Sequence, residues 1–299
     1  MATVGERRVR LWQGKIETQI DVIGDGPPLV FLHGPWGLRS HRDFLDHLAC
    51  NYLVFAPRHP GTSSGDPDAI HQLDELWDLV VYYGELFDRL GLRAPALIGH
   101  SFGRMVACEI AATMPERASK LVLIDPLGLW RDDLPVKNWM ILPEDQRSQT
   151  LFADQRGAAA GRFLELPSET GARIEAQASF IWSQACTGKF VWPIPDRGLK
   201  KRIHRIVVPT LVVWGAADNV IAPAYAEEFA HRIPDARVEL IDHAGHLPHL
   251  EQPHKVAQLV SDFLSQQSRS GAHALVDNGT YESAKAAPGR AGRHSMDQR

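Results

Sequence analysis

Cysteine is scarce. The chain of 299 residues holds three, Cys50, Cys108 and Cys186, far apart and without a Cys-x-x-Cys pair. An odd, sparse set excludes a disulfide framework and reads as reduced thiols, so the expected compartment is cytoplasmic. Basic excess is also lacking. With a net charge of −4, neither nucleic acid nor an anionic membrane is expected as the main partner. No apolar run reaches the length of a membrane span, and residues 1–14 carry no apolar core of a secretory signal. Internal repeats are missing as well.

What the chain has is alternation. Residues 9–23 alternate apolar and polar side chains around Gln13-Gly14, which predicts two antiparallel edge strands and a turn. Further strands are expected at 29–32, 52–56, 94–98, 121–124, 210–214 and 238–241, several of them fully apolar as in buried parallel sheets. Helical spacing appears at 40–49, 68–90, 105–114, 223–233 and 253–263. This order predicts an α/β protein with a mostly parallel sheet and helices on both faces. Residues 127–205 interrupt it. Four of the eight tryptophans, Trp130, Trp139, Trp182 and Trp192, fall there, so a helical insertion is expected. Its aromatics either line a pocket or form a small core of their own. The expected organisation is a core of 1–126 and 206–267, an insertion at 127–205, and a disordered tail at 268–299, where composition shifts to Gly, Ala, Ser and Arg.

Chemistry gathers at Gly99-His100-Ser101-Phe102-Gly103. This G-x-S-x-G lies between an apolar run and a helical pattern, the strand–turn–helix context of a nucleophile elbow. A serine hydroxyl needs a base to become a nucleophile. His246, in the loop after the last strand, is the candidate base. Asp218, after the preceding strand, is the candidate acid, and Asp125, after strand six, is the alternative. An acid there fixes the imidazole tautomer and stabilises its protonated form. His243 and His249 flank His246 at three-residue spacing. Their segment is a loop with Gly245 and Pro248 and has no second ligand cluster, so no metal site is expected, and no cofactor.

His33-Gly34, Gly99 to Gly103, Asp218 and Gly245-His246 occur together in an order that resembles the α/β-hydrolase family over residues 9–264. The resemblance implies an eight-stranded sheet with a helical cap inserted between strands six and seven. It also implies Ser101, His246 and Asp218 as a catalytic triad, with the Phe102 amide in an oxyanion hole. The chain departs from the family pattern in three places. Pro35 follows His33-Gly34, where an amide donor is usual and proline has none. Trp36 is the nearest substitute. Arg104 stands where a small residue is usual, and Arg58 where an aspartate is common.

The expected function is a serine hydrolase that cleaves an ester-like bond of a small or medium apolar substrate through an acyl-enzyme. The alternatives are a carbon–carbon bond hydrolase or lactonase with the same triad, and a non-catalytic ligand-binding member of the fold. The expected partner is a small-molecule substrate. Nothing in the sequence signals an oligomeric state.

Overall fold

The computed structural model describes residues 4–62, 66–192, 194 and 196–266; the tail expected at 268–299 lies outside the described residues. The strands are β1 Val4–Leu11, β2 Ile16–Ile23, β3 Pro28–Leu32, β4 Leu53–Pro57, β5 Ala96–His100, β6 Lys120–Ile124, β7 Thr210–Gly215 and β8 Ala236–Ile241. They form one eight-stranded sheet in the order β1-β2-β4-β3-β5-β6-β7-β8. β1 with β2 and β2 with β4 are antiparallel, and all other pairs are parallel. The sheet is therefore mostly parallel, as the alternation predicts.

The two-residue period of a strand divides the core into two layers. Val30, Leu97, Leu123 and Val212 join one layer, and Phe31, Ile98, Val122 and Val213 the other. The first is covered by α2 (Leu76–Leu90), α3 (Phe102–Thr113) and α7 (Tyr225–Arg232), through Leu79, Tyr83, Val106, Ile110 and Phe229. The second is covered by α1 (Arg42–Leu48) and α9 (Pro253–Ser265), through Phe44, Leu48, Val256 and Val260. Because both faces are buried, β5, β6 and β7 are buried at every position. Each such large apolar side chain contributes roughly 1.5–3 kcal/mol relative to exposure.

The helix expected at 68–90 is two elements. Pro67–Gln72 forms a 3-10 turn, Leu73 is extended, and α2 begins afresh at Leu76. The acidic pair around the break is the reason. The Asp78 carboxylate accepts the amides of Asp74 at 2.8 Å and Glu75 at 3.2 Å, and the Glu75 side chain accepts in return. Such a capping box satisfies the free amides of a new helix start.

Between β6 and β7 the described residues form 3-10 turns at Trp139–Ile141, Leu199–Lys201 and Ile203–Arg205 and three helices, α4 (Glu144–Leu151), α5 (Ala158–Leu164) and α6 (Thr170–Val191). Glu169 caps α6 by accepting the amides of Gly171 and Ala172. The aromatics divide. Trp139, Phe152, Phe163 and Phe190 are buried, whereas Trp182 and Trp192 are exposed. Arg202 anchors the return to β7, pairing at 2.8 Å with the buried Glu109 of α3. Losing Arg202 would leave that carboxylate uncompensated. Among the described residues no helix is long and apolar enough to cross a membrane.

Candidate active site

β5 turns directly into α3 at Ser101, whose backbone sits at φ 49°, ψ −112°. A side-chain-bearing residue rarely adopts this region, and such strain persists only where its surroundings impose it. The two glycines of the motif allow it by close approach. A Cβ on Gly99 would lie 2.4 Å from the Arg104 Cα, and one on Gly103 would lie 2.1 Å from the Leu32 carbonyl oxygen. The Ser101 amide donates to the Ile124 carbonyl at 3.0 Å, tying the turn to β6. Phe102 opens α3, where amides have no partner within the helix.

The loops after β7 and β8 deliver the partners. His246 Nε2 lies 3.0 Å from Ser101 Oγ, and its Nδ1 lies 2.8 Å from Asp218 Oδ2. Ser101 and His246 are fully buried and Asp218 nearly so. A carboxylate only accepts, so the Nδ1 proton belongs to this bond and the Nε2 lone pair faces the serine hydroxyl. Three further donors fix the Asp218 carboxylate: the amides of Val220 at 2.7 Å and Ile221 at 3.0 Å, and the Trp214 indole at 3.2 Å. The two loops touch. A Cβ on Gly215 would lie 1.9 Å from the Gly245 carbonyl oxygen.

Asp125, the alternative acid, makes no hydrogen bond to His246. Its Oδ1 accepts the Gly215 amide at 2.9 Å, and its Oδ2 is buried without a partner. Burial, and next the neighbouring Asp218 carboxylate, raise its carboxyl well above the ordinary range. Asp125 therefore holds its proton more tightly than a free carboxyl does, and it buttresses the β7 end through the Gly215 amide. Arg104 is buried beside it. Its Nη2 donates to the Leu127 carbonyl at 2.8 Å and its guanidinium lies 4.0 Å from the Phe229 ring centroid. Burial lowers its pKa to about 9, so the group remains charged at neutral pH. The space between α3 and α7 thus accommodates the long side chain at a position where a small residue is usual.

The loop at Gly34 passes against the elbow: a Cβ there would lie 3.4 Å from the Ser101 Cβ. Its shape is held by two histidines. His33 Nδ1 donates to the Gly34 carbonyl at 2.7 Å, and its Nε2 accepts the His59 amide at 3.2 Å. His59 Nε2 donates to the His33 carbonyl at 2.8 Å, and its Nδ1 accepts the Tyr83 hydroxyl at 2.6 Å. Burial lowers His59 to about 4 and His33 well below its ordinary value. Trp36 is buried and meets the His246 ring edge-on at 5.9 Å, with Phe163 of α5 on its other side at 6.0 Å. Arg58 lies 3.7 Å from Asp21.

Three cavities lie between the loops of the sheet side and the insertion; the largest, about 460 Å³, is lined by Arg58, Gly61, Thr62, Ser179 and Trp182. A second, about 390 Å³, is lined by Arg39, Arg147, Leu164, Phe180 and Ile181. The third, about 370 Å³, is lined by Trp36, Arg39, Arg58, Phe180 and Ser183. None of the three is lined by Ser101, which has no exposed surface. Sequence reasoning misses the Trp214 indole as a holder of Asp218. The available signal is a tryptophan at the end of a buried strand, whose N–H needs an acceptor.

A mostly parallel α/β sheet with a serine elbow and a histidine–carboxylate pair at its C-terminal edge is the architecture of an α/β hydrolase enzyme. Residues 29–259 match the model of the Alpha/beta hydrolase family, and the chain belongs to that family. Its relatives differ in chemistry. It is 29% identical to the pimeloyl-[acyl-carrier protein] methyl ester esterase of Nitrosomonas europaea, over 82% of this chain and 97% of that one. It is 28% identical to monoacylglycerol lipase abhd6-A of Xenopus laevis, over 81% of this chain and 76% of that one. It is 26% identical to the 2-hydroxy-6-oxo-2,4-heptadienoate hydrolase of Pseudomonas putida, over 85% of this chain and 95% of that one.

Proposed function

We propose that this chain hydrolyses an ester-like bond of a small or medium apolar molecule through an acyl-enzyme on Ser101. The observation that carries the reading is the unbroken hydrogen-bond chain from Ser101 Oγ through His246 to Asp218. Ser101 Oγ attacks the carbonyl carbon as its proton passes to His246 Nε2. The tetrahedral intermediate collapses, and the leaving alkoxide takes that proton. Water then attacks the acyl-serine with His246 again as base, releasing the acid and restoring the hydroxyl. Asp218 holds the tautomer and stabilises the transient imidazolium. The Phe102 amide, free at the start of α3, is one oxyanion donor. Trp36 is the second, since Pro35 has no N–H and the Trp36 ring already lies against His246.

The β6–β7 insertion serves as a cap over the sheet edge on this reading, with residues 1–126 and 206–267 as the core. Its Leu164, Phe180 and Ile181 give the 390 Å³ cavity an apolar wall, which favours an apolar acyl or alcohol group. Because Ser101 has no exposed surface, a substrate reaches it only when residues of the cap or Trp36 move aside. The three unpaired cysteines suit a cytoplasmic enzyme.

A second reading keeps the same triad and breaks a carbon–carbon bond. The likeness to the Pseudomonas putida hydrolase favours it. One experiment separates the two. Wild type and Ser101→Ala are compared on p-nitrophenyl butyrate, a γ-lactone and 2-hydroxy-6-oxo-2,4-heptadienoate. Ester turnover that falls by roughly 10⁴–10⁶ in Ser101→Ala is expected. Turnover of the dienoate alone selects the second reading, and turnover of none of the three contradicts both.

A further inference from the structure

A second cluster of chemistry-bearing side chains lies beneath the elbow and takes no part in the mechanism above. His41 at the start of α1, His100 at the end of β5 and His249 in α8 (Pro248–Glu251) are all buried. Each offers one ring nitrogen, and the three nitrogens lie within 4.8 Å of one another. The ring centroids are 4.5 Å apart for His100 and His249 and 5.0 Å apart for His41 and His249.

Their hydrogen bonds fix the tautomers. His41 Nδ1 donates to the Arg39 carbonyl at 2.7 Å, which leaves its Nε2 with a lone pair. His100 Nε2 donates to the His246 carbonyl at 3.0 Å, which leaves its Nδ1 with one. Among the described residues these two nitrogens have no hydrogen-bond partner, and neither does either nitrogen of His249. A buried polar nitrogen without a partner costs about 1–3 kcal/mol, and one nitrogen of each of these three rings lies in the cluster. A ring that donates one N–H to a backbone carbonyl and presents the other nitrogen inward has the arrangement found around metal-bound histidines. Phe31 and Phe44 surround the cluster, with Phe31 5.3 Å from His41 and Phe44 5.3 Å from His249.

We propose that His41, His100 and His249 form a binding site for a late first-row divalent cation, zinc above all. Imidazole is the ligand type that suits zinc, copper and nickel. Nitrogens bound tetrahedrally at about 2.0–2.1 Å stand roughly 3.3 Å apart, so closing the site needs shifts below about 1 Å per ring. Water or hydroxide takes the fourth position, and hydroxide offsets part of the ion's charge in a site of three neutral ligands. The ion would tie α1, β5 and α8 together directly below Ser101 and His246. Its role is structural, and the site does not depend on the esterase reading. It reverses the expectation that the chain holds no metal. The H-x-x-H-x-x-H spacing around His246 contributes only His249, and the other two ligands come from distant segments.

The test uses the full chain, stripped with a chelator and desalted. Equilibrium dialysis against zinc should give one equivalent bound, and cobalt(II) should give intense tetrahedral d–d absorption. His41→Phe and His249→Phe, which suit the aromatic surroundings, should each lose the tight equivalent. That loss should exceed the roughly 10–100-fold cost of removing an outer-shell partner. Zinc should raise the Tm of wild type and not of these variants. Two controls should keep the equivalent: His254→Gln, from the exposed His47–His254 pair at 3.8 Å, and Asp218→Asn. No zinc uptake by wild type overturns the proposal, as does uptake that survives in both His→Phe variants or disappears in either control. Should the His→Phe variants fail to fold, the wild-type cobalt spectrum decides. Tetrahedral bands support the site, and only weak octahedral bands overturn it.

Discussion

At the C-terminal edge of the sheet, backbone amides and one indole hold the triad residues. Ser101 is fixed by β5, α3 and an amide bond to β6, Asp218 by two amides and an indole, and the His246 amide donates to the Leu151 carbonyl at 2.9 Å. The β6–β7 insertion is built differently. Its α4 end is tied in by backbone, through Leu151 to His246 and Lys137 to the Val220 carbonyl, but its longest helix, α6, exposes Ile174, Ile181 and Trp182 and meets the rest through side-chain bonds such as Trp182 Nε1 to the Gly61 carbonyl. The difference separates two tasks. On the proposed reading, a reacting centre tolerates little displacement and is set into the sheet, whereas the α6 wall can be looser.

The comparison breaks first on the acid. Asp218→Asn should lower kcat by about 10⁴ with the fold intact, because the amide reverses the tautomer of His246. Asp125→Asn, which keeps an oxygen acceptor for the Gly215 amide and touches no hydrogen bond of His246, should change kcat by less than about 10-fold. Steady-state rates of both variants check this, and the reverse pattern would make Asp125 the acid.

Acid should weaken the sheet side next. In the metal-free chain burial lowers His41 and His59 to about 4, and lowers His33, His100 and His249 well below their ordinary values. None of the five lies in the insertion. Between the folded and unfolded values the unfolded chain binds more protons, so this stability is present above about pH 6.5 and is lost as pH falls toward 4. His41 and His59 contribute up to roughly 3 kcal/mol each. Asp125 has the opposite sign, since its carboxyl is raised and its contribution fades as pH rises above its ordinary value. Five histidines against two raised carboxyls, Asp125 and Glu251, predict a net fall. Chemical denaturation at pH 7, 6 and 5 should give steadily lower unfolding free energies, and a flat profile would contradict the account.

Two glycine substitutions sharpen the contrast. Gly99→Ala forces a methyl group against the Arg104 backbone and should cost at least about 1–3 kcal/mol. Gly161→Ala in α5 meets open space and should stabilise by up to about 1 kcal/mol. Paired denaturant titrations read both. Smaller still is the wall. Phe180→Ala should raise KM for a butyrate ester by about 10-fold or less with kcat little changed, the sign of binding shared by ground and transition states. A large fall in kcat instead would move Phe180 into the reacting centre.

Most of the sheet was legible in the sequence because buried parallel strands are written as short apolar runs, such as 29–32 and 210–214. The elbow was legible for a related reason: only glycine fits where Arg104 and Leu32 approach. The break before α2 was hidden, since Leu73 and Leu76 keep helical spacing while the backbone between them follows Asp78. The Trp214 bond to Asp218 and the His41–His100–His249 cluster depend on contacts between distant segments, and no local pattern records those.

The central claim is that Ser101 carries the acyl group. Rapid mixing of wild type with p-nitrophenyl acetate, acid quenching and peptide mass spectrometry tests it directly. The expected result is one acetyl group per chain on the peptide containing Ser101, absent from Ser101→Ala. An acetyl group on another residue, or ester turnover that persists in Ser101→Ala, would contradict it.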